Sequence, residues 1–120
     1  MRKTRFMTPF DIVLVPFPFS DLTTVKRRPC LVLCALHPKG LIAHYVVSMM
    51  TSSLKRISFP YDVVLQDWKK AGLPKKTIVR LAKLVTLDSS LARKRIGRIS
   101  PGDKHRVQAS FARMFSSILS

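Results

Sequence analysis

Carboxylates, the side chains that most hydrolytic enzymes use for acid–base or metal chemistry, are few in this sequence of 120 residues. There are six acidic residues, all of them Asp, and they are dispersed along the chain: Asp11, Asp21, Asp62, Asp67, Asp88 and Asp103. A two-metal nuclease needs several carboxylates around its paired ions, and a glycosidase needs two carboxylates with different pKa values. The composition therefore disfavours both classes of enzyme.

The cysteines and histidines do not form a metal-binding pattern. Cys30 and Cys34 share one apolar run, and in a strand their Cα atoms would lie about 13 Å apart, too far for a disulfide. We interpret them as small buried residues in a reducing compartment. His37, His44 and His105 have no zinc-ligand spacing among themselves or with the cysteines. We therefore expect no metal and no other cofactor.

Basic residues are the dominant chemical group. Lys and Arg number 22, which gives a formal net charge of +16. Local clusters occur throughout the chain, at residues 26–28, 55–56, 69–70, 75–76 and 93–95. Each cluster alone could be an ordinary solvated surface, but the total indicates a polyanionic partner, either nucleic acid or an acidic protein. A membrane-surface role fits less well, because the charges are not confined to one helix face.

The length fits a single domain spanning residues 1–120, which can bury a core without disulfide or metal support. No apolar run is long enough to cross a bilayer. The basic first five residues are not followed by the hydrophobic segment of a signal peptide. We therefore expect a cytoplasmic protein.

Strand patterns dominate the chain. Predicted strands cover residues 11–17, 30–36 and 41–50, followed by shorter ones at 61–65, 77–80, 84–87 and 95–99. Pro16 should lie at a sheet edge or near a strand end, because proline has no N–H to donate. Residues 30–36 are apolar throughout, which predicts burial on both faces of the sheet. Residues 26–29 are predicted to close a loop that begins near residue 20.

Helix signals are concentrated near the C-terminus. Asp67 can cap one helical turn that Gly72 ends, and Asp88 can cap another turn through Leu91. Ser100 and Asp103, with a proline between them, form a strong helix start, and apolar residues then recur at helical spacing from residue 107 to 118. The expected fold is mainly β with short helices (α+β): a small SH3-like antiparallel barrel with a C-terminal amphipathic helix.

An ordered set of segments resembles the MazF/PemK family, the endoribonuclease toxins of bacterial type II toxin–antitoxin systems. The matching segments are DIVLVPFPFSDL at residues 11–22, KRRP at 26–29, VSMMTS at 47–52, WKKAGL at 68–73 with TIVR at 77–80, KLVTLD at 83–88 and IGRIS at 96–100. They occur in the family's order and cover nearly the entire chain. No single segment is decisive, but the ordered set is specific.

The resemblance implies a chemistry and a set of site residues. Members cut single-stranded RNA without metal, by attack of the RNA 2′-OH on the neighbouring phosphorus, which leaves a cyclic phosphate and a 5′-OH. Arg28 and Thr51 match the family's catalytic residues. Ser52 adjoins Thr51, and Lys26, Arg27 and Arg80 are candidate substrate-binding residues.

A guanidinium can bind two phosphate oxygens at once, but it is effectively never deprotonated. We therefore assign Arg28 to charge stabilisation and leave the proton acceptor open. Histidine is the usual side chain for proton transfer near neutral pH, so His37 and His44 are candidates for that role.

The resemblance also implies a homodimer with RNA bound across the interface, and an acidic antitoxin whose tail occupies the same groove. DNA would be contacted only through the antitoxin. Two alternatives remain: a basic barrel that binds nucleic acid without cutting it, and a toxin of the same architecture that acts on gyrase, as the gyrase poison CcdB does.

The sequence departs from the family pattern at two positions. Phe10 stands where the family usually has Gly. Because glycine adopts a positive φ freely and phenylalanine does not, we expect the turn before Asp11 to be built differently here. Ala82 stands where some members carry an acid, so a catalytic role for that acid is absent.

Overall fold

The computed structural model describes residues 6–18, 25–53, 58–92 and 94–120. The strands are β1 (Asp11–Pro18), β2 (Val25–Leu36), β3 (His44–Thr51), β4 (Asp62–Val64), β5 (Ile78–Asp88) and β6 (Lys94–Arg98). A short 3-10 helix, Ser89–Leu91, follows β5, and the chain ends in α1 (Pro101–Met114) and α2 (Ser116–Leu119).

All six strands form one antiparallel sheet in the order β4-β5-β3-β2-β1-β6. The turn after β4 reaches back to β6, where a Cβ added at Gly97 would lie 2.0 Å from the carbonyl oxygen of Ala71. Only glycine permits this approach, which brings the two edges of the sheet together in a barrel-like form. The prediction of a mainly β fold with short helices and a C-terminal helix is confirmed.

The sheet is buried on both faces at its centre. Ile12 and Leu31 belong to a core cluster that includes Val107 of α1. Their neighbours Val13 and Cys30 belong to a second cluster on the opposite face. The prediction that the apolar run in β2 is buried on both faces is confirmed for residues 30–32, but the run becomes partly exposed beyond them and Leu36 is exposed.

Both cysteines are free, as their spacing predicted. Burial raises the pKa of the Cys30 thiol to about 12, so this thiol is unreactive at neutral pH. Among the described residues, no helix combines the length and the apolar character that crossing a bilayer would require.

Several predicted boundaries differ from the structure: β3 begins at His44 rather than at residue 41, and the predicted C-terminal helix is divided into α1 and α2. Strand pairing explains two further differences. Residues 26–29 were expected in a loop, but they lie in β2, because they pair in register with residues 14–17 of β1. The short strands predicted at 77–80 and 84–87 are parts of the single strand β5. Its pairing with β3 shifts between Ser48 and Met49, and the buried Ser48 hydroxyl donates to the carbonyl oxygen of Leu81 in the bulged segment.

Both ends of β1 follow from its prolines and its partners. Within the described residues, β6 pairs with residues 11–14 of β1 and not with Pro16, which lies near the end of the strand, as predicted. At the other end, Asp11 is buried and accepts hydrogen bonds from the backbone N–H of Thr8 (2.8 Å) and from Arg98 (2.9 Å). This carboxylate holds the entry to β1 against β6.

The expectation of a different turn before Asp11 was wrong. Phe10 adopts the left-handed conformation with φ +76°, which costs a non-glycine residue about 1–2 kcal/mol. Its N–H donates to the carbonyl of Val32 (2.7 Å), and its carbonyl accepts from Ile99 (3.2 Å). The ring packs against the core, and the Lys104 ammonium lies 5.1 Å from the ring centroid. These contacts offset the backbone strain.

Helix α1 is anchored at its first turn. The Ser100 hydroxyl accepts the N–H of Asp103 (3.1 Å), as the sequence predicted. The fully buried Asp103 carboxylate accepts the backbone N–H groups of Gln66 (3.0 Å) and Asp67 (2.9 Å) and pairs with Arg106. Burial works to raise the pKa of Asp103, but these donors outweigh it and hold the pKa below its ordinary value. The carboxylate thus fastens the helix to the turn after β4.

The strain at Phe10 predicts that glycine at this position gives a more stable protein than alanine. Phe10→Gly and Phe10→Ala both remove the ring, but only Ala keeps a Cβ at a positive φ. We expect Phe10→Gly to be more stable than Phe10→Ala by about 1 kcal/mol, the reverse of the usual preference for Ala. Urea unfolding of both variants measures the difference, and an Ala variant at least as stable as the Gly variant would contradict the strain.

The lowered pKa of Asp103 predicts a loss of stability in acid. Because the folded-state pKa lies below the unfolded value of about 3.9, the stabilisation is complete above that value and is lost as the pH falls through the folded-state pKa. Asp103→Asn presents an amide N–H₂ toward a backbone donor and should lower the free energy of unfolding by about 3 kcal/mol at pH 7. Because the carboxylate is gone, the stability of this variant should also fall less steeply as the pH is lowered. Thermal unfolding of both proteins across pH tests this, and parallel pH profiles would contradict it.

Candidate active site at one end of the sheet

The ends of four strands meet at one end of the sheet. In the antiparallel register, Pro18 at the end of β1 pairs with Val25 at the start of β2, and Thr51 at the end of β3 pairs with Ile78 at the start of β5. A cleft of about 340 Å³ opens there, in the lower range of pockets that hold small ligands. Because strands begin and end at this place, residues from both faces of the sheet reach the same cleft.

The charged residues that line the cleft are all cations: Lys26, Arg27, Arg28 and Lys75. No acidic residue or histidine lines it in the parts of the chain that the structure describes. A concave surface with charges of one sign concentrates oppositely charged ligands. The cleft is therefore suited to a polyanion.

Hydroxyl and apolar groups complete the lining. Thr51, Ser52, Ser53 and Thr77 supply the hydroxyls, and Leu14, Met50, Leu73 and Ile96 supply the apolar surface. Such a surface beside cations can receive the flat face of a nucleobase while the cations hold the phosphate.

Arg28 and Thr51 both line this cleft. The last pair of the β2–β3 ladder is Cys30 with Met49, and extending the same register by two residues would align Arg28 with Thr51. Directly opposed residues of an antiparallel pair have their Cβ atoms about 5 Å apart on the same face. The Thr51 hydroxyl oxygen accepts the N–H of Ser53 (3.1 Å), which leaves its own proton available for a ligand.

Five of the six sequence-predicted site residues are thus brought together: Lys26, Arg27, Arg28, Thr51 and Ser52 line one cleft.

The sixth candidate, Arg80, lies apart from that cleft. It pairs with Met49 on β3 and with Asp62 on β4, and its guanidinium lies 3.3 Å from the Asp62 carboxylate. The exposed fractions of the two side chains are 11% and 9%. Its position indicates a buried bridge between β5 and β4.

The histidines considered as proton acceptors lie at the other end of the sheet. His44 begins β3, and the seven residues to Thr51 span about 23 Å of strand. Its Nδ1 lies 2.9 Å from the carbonyl oxygen of Ile42. The His37 ring packs edge-on against Phe6, with a 5.1 Å centroid separation. Neither histidine lines the cleft.

Sequence reasoning did not assign Lys75 and Thr77 to the site. Lys75 appeared only as part of a basic cluster, and it is 24 residues beyond Thr51 in the chain. The pairing of Thr51 with Ile78 brings this segment to the cleft. That pairing is a long-range feature of the sheet, so no local pattern in the sequence reveals it.

Several solved structures share this fold, and their names are those of MazF toxins, MazE–MazF complexes and endoribonucleases. A MazE–MazF complex from Deinococcus radiodurans superimposes with a TM-score of 0.72 at 18% identity, covering 94% of this chain and 98% of the other. An endoribonuclease from Mycobacterial species gives a TM-score of 0.67 at 15% identity, covering 96% of each chain. The Mycobacterium tuberculosis toxin MazF-mt6 gives a TM-score of 0.63 at 16% identity, covering 88% of this chain and 96% of the other. At these identities the likeness defines the fold.

The sequence itself settles the family. Residues 8–115 match the model of the PemK-like, MazF-like toxins of type II toxin–antitoxin systems. The chain belongs to this family, as the ordered segments in its sequence predicted. Among curated proteins, no sequence matches it closely.

Proposed function

We propose that this protein is an endoribonuclease toxin that cleaves single-stranded RNA at the cleft where β2, β3 and β5 meet. Membership of the MazF-like toxin family supports the class of activity. The observation that carries the proposal is the cleft itself, which Arg28 and Thr51 line together with other cations and without a lining acid from the described residues.

The reaction needs charge stabilisation more than a strong base. The RNA 2′-oxygen attacks the adjacent phosphorus, its proton passes to solvent, and the bond from phosphorus to the 5′-oxygen breaks. The products are a 2′,3′-cyclic phosphate and a 5′-OH, whose proton comes from water. The Arg28 guanidinium would bind the non-bridging oxygens as their charge grows, and the Thr51 hydroxyl would donate to one of them.

The remaining cations would hold the RNA strand. Lys26 and Arg27 are exposed, and both line the cleft beside the half-buried Arg28. Ser52 adds a donor next to Thr51. We assign these residues to binding of phosphates and sugars near the cut, and we assign Arg80 to structural support of β5.

An acidic antitoxin is the natural inhibitor of such a site. Two of the structures that share the fold are a mycobacterial endoribonuclease in complex with its cognate antitoxin and the Deinococcus MazE–MazF complex. By the same reasoning this chain, with its +16 charge, would bind an acidic antitoxin segment in the cationic cleft. We further propose that it acts in the cytoplasm as a homodimer and contacts DNA only through the antitoxin.

Loss of the guanidinium should affect the chemical step. We expect Arg28→Ala to lower the rate of RNA cleavage about 10²–10³-fold, the usual cost of removing one oxyanion donor. The cleavage rate of Arg28→Lys should lie between those of the wild type and Arg28→Ala, because lysine keeps the charge but lacks the planar pair of donors. Single-turnover cleavage of a labelled RNA measures both. The control is Arg113→Ala, an exposed residue of α1 that does not line the cleft; equal rates for Arg28→Ala and Arg113→Ala would refute the assignment.

Binding should weaken steeply with salt. If the cleft and its rim engage ~4–6 phosphates, the logarithm of the RNA affinity should fall with the logarithm of salt concentration with a slope of roughly −3 to −4. Fluorescence anisotropy with a 2′-O-methylated RNA, which cannot be cut, gives this slope. A flat response would remove the electrostatic basis of the proposal.

A further inference from the structure

Residues 73–77 form an arch on the far side of the cleft, and it is held at both ends. Leu73 is buried in the core, and its N–H donates to the carbonyl of Trp68 (3.1 Å). Thr77 is 2% exposed, and its carbonyl accepts the N–H of Leu65 (3.0 Å). The three residues between these anchors, Pro74, Lys75 and Lys76, are exposed. The arch therefore projects into solvent from two fixed points.

The backbone at Lys75 is itself fixed. The buried Thr77 hydroxyl donates to the carbonyl oxygen of Lys75 at 2.8 Å. Pro74, immediately before it, has its φ locked by the ring. A lysine on a fixed backbone loses less conformational entropy when it binds a ligand than one on a free loop.

Lys75 lies on the opposite side of Thr51 from Arg28. In the sheet, β3 lies between β2, which carries Arg28, and β5, which the arch enters. Two strand spacings separate β2 from β5 by about 10 Å at the backbone. Lys75 lines the same cleft as Arg28, whereas the adjacent Lys76 does not. Arg28 and Lys75 would thus approach a bound RNA strand from different sides of the Thr51 hydroxyl.

We propose that Lys75 is a substrate-binding residue that holds the phosphate next to the scissile one, and that Thr77 positions it through the Lys75 carbonyl. This inference rests on the proposed ribonuclease function. Arg28 meets the scissile phosphate beside Thr51, and Lys75 meets the neighbouring phosphate where the strand leaves the cleft over the arch. The contact is to the backbone of the RNA, so it applies to every sequence.

The test compares Lys75→Gln with Lys76→Gln, two variants with the same net charge at adjacent exposed positions. The probe is the 2′-O-methylated RNA, whose affinity is measured by anisotropy over a range of salt concentrations. We expect Lys75→Gln to weaken binding about tenfold and to make the salt slope shallower by about 0.7, the effect of one lost contact to a single strand. Lys76→Gln should change the affinity less than about twofold, as an uninvolved surface charge does.

The positioning role of Thr77 has its own readout. Thr77→Val removes the hydroxyl at nearly constant volume, and it should weaken RNA binding in the wild-type background but not in the Lys75→Gln background. This non-additivity separates positioning of Lys75 from a general loss of stability, which would act in both backgrounds. Additive effects would contradict the positioning role.

Failure of this inference and failure of the proposed function give different results. If the wild-type protein cleaves RNA and the two Lys variants bind it equally, the role of Lys75 is overturned and the function stands. If the wild-type protein binds but does not cleave RNA, and only Lys75→Gln loses affinity, the phosphate contact stands and the catalytic proposal fails.

Discussion

The register of three neighbouring strands decides what this protein can do. The ladder between β2 and β3, whose last pair is Cys30 with Met49, brings Arg28 to the end of β3, and the ladder between β3 and β5 pairs Thr51 with Ile78. A shift of either ladder by one residue would turn these side chains to the other face of the sheet. The register is fixed by the core, because the residues next to Cys30 in β2 are buried on one face or the other. Packing in the middle of the sheet thus aligns the groups at its end.

Charge is partitioned between structure and site. Among the described residues, three acids are buried or nearly so, and each is paired with arginine: Asp11 with Arg95 and Arg98, Asp62 with Arg80, and Asp103 with Arg106. These carboxylates also accept backbone N–H groups, locally at Asp11 and Asp62 and from the distant Gln66 at Asp103. The arginine partners of Asp11 and Asp62 come from other strands, so all three carboxylates join segments that are distant in the chain. Among the residues that the structure describes, the charged side chains lining the cleft are all cations. Positive charge is therefore concentrated where an RNA phosphate would bind.

Local signals predicted the starts of helices and the central parts of the strands well. Ser100 and Asp103 predicted the start of α1, where the Ser100 hydroxyl caps the helix. Asp88 caps the 3-10 helix through the N–H of Ser90 (2.8 Å), as predicted. Pairing across the sheet could not be predicted in the same way. It extended β2 over the basic residues before Pro29, joined two short strands into β5, and brought Lys75 to the cleft. The family's usual glycine at position 10 indicated a left-handed backbone, and Phe10 adopts that backbone although it is not glycine.

The central claim is that the cationic cleft cuts RNA by internal attack of the 2′-OH, stabilised by a guanidinium and a hydroxyl. The most direct measurement is the identity of the new RNA ends, determined by mass spectrometry after incubation of the wild-type protein with single-stranded RNA in EDTA. The account predicts fragments that end in a 2′,3′-cyclic phosphate and begin with a 5′-OH. Intact RNA, or fragments that begin with a 5′-phosphate, would contradict it.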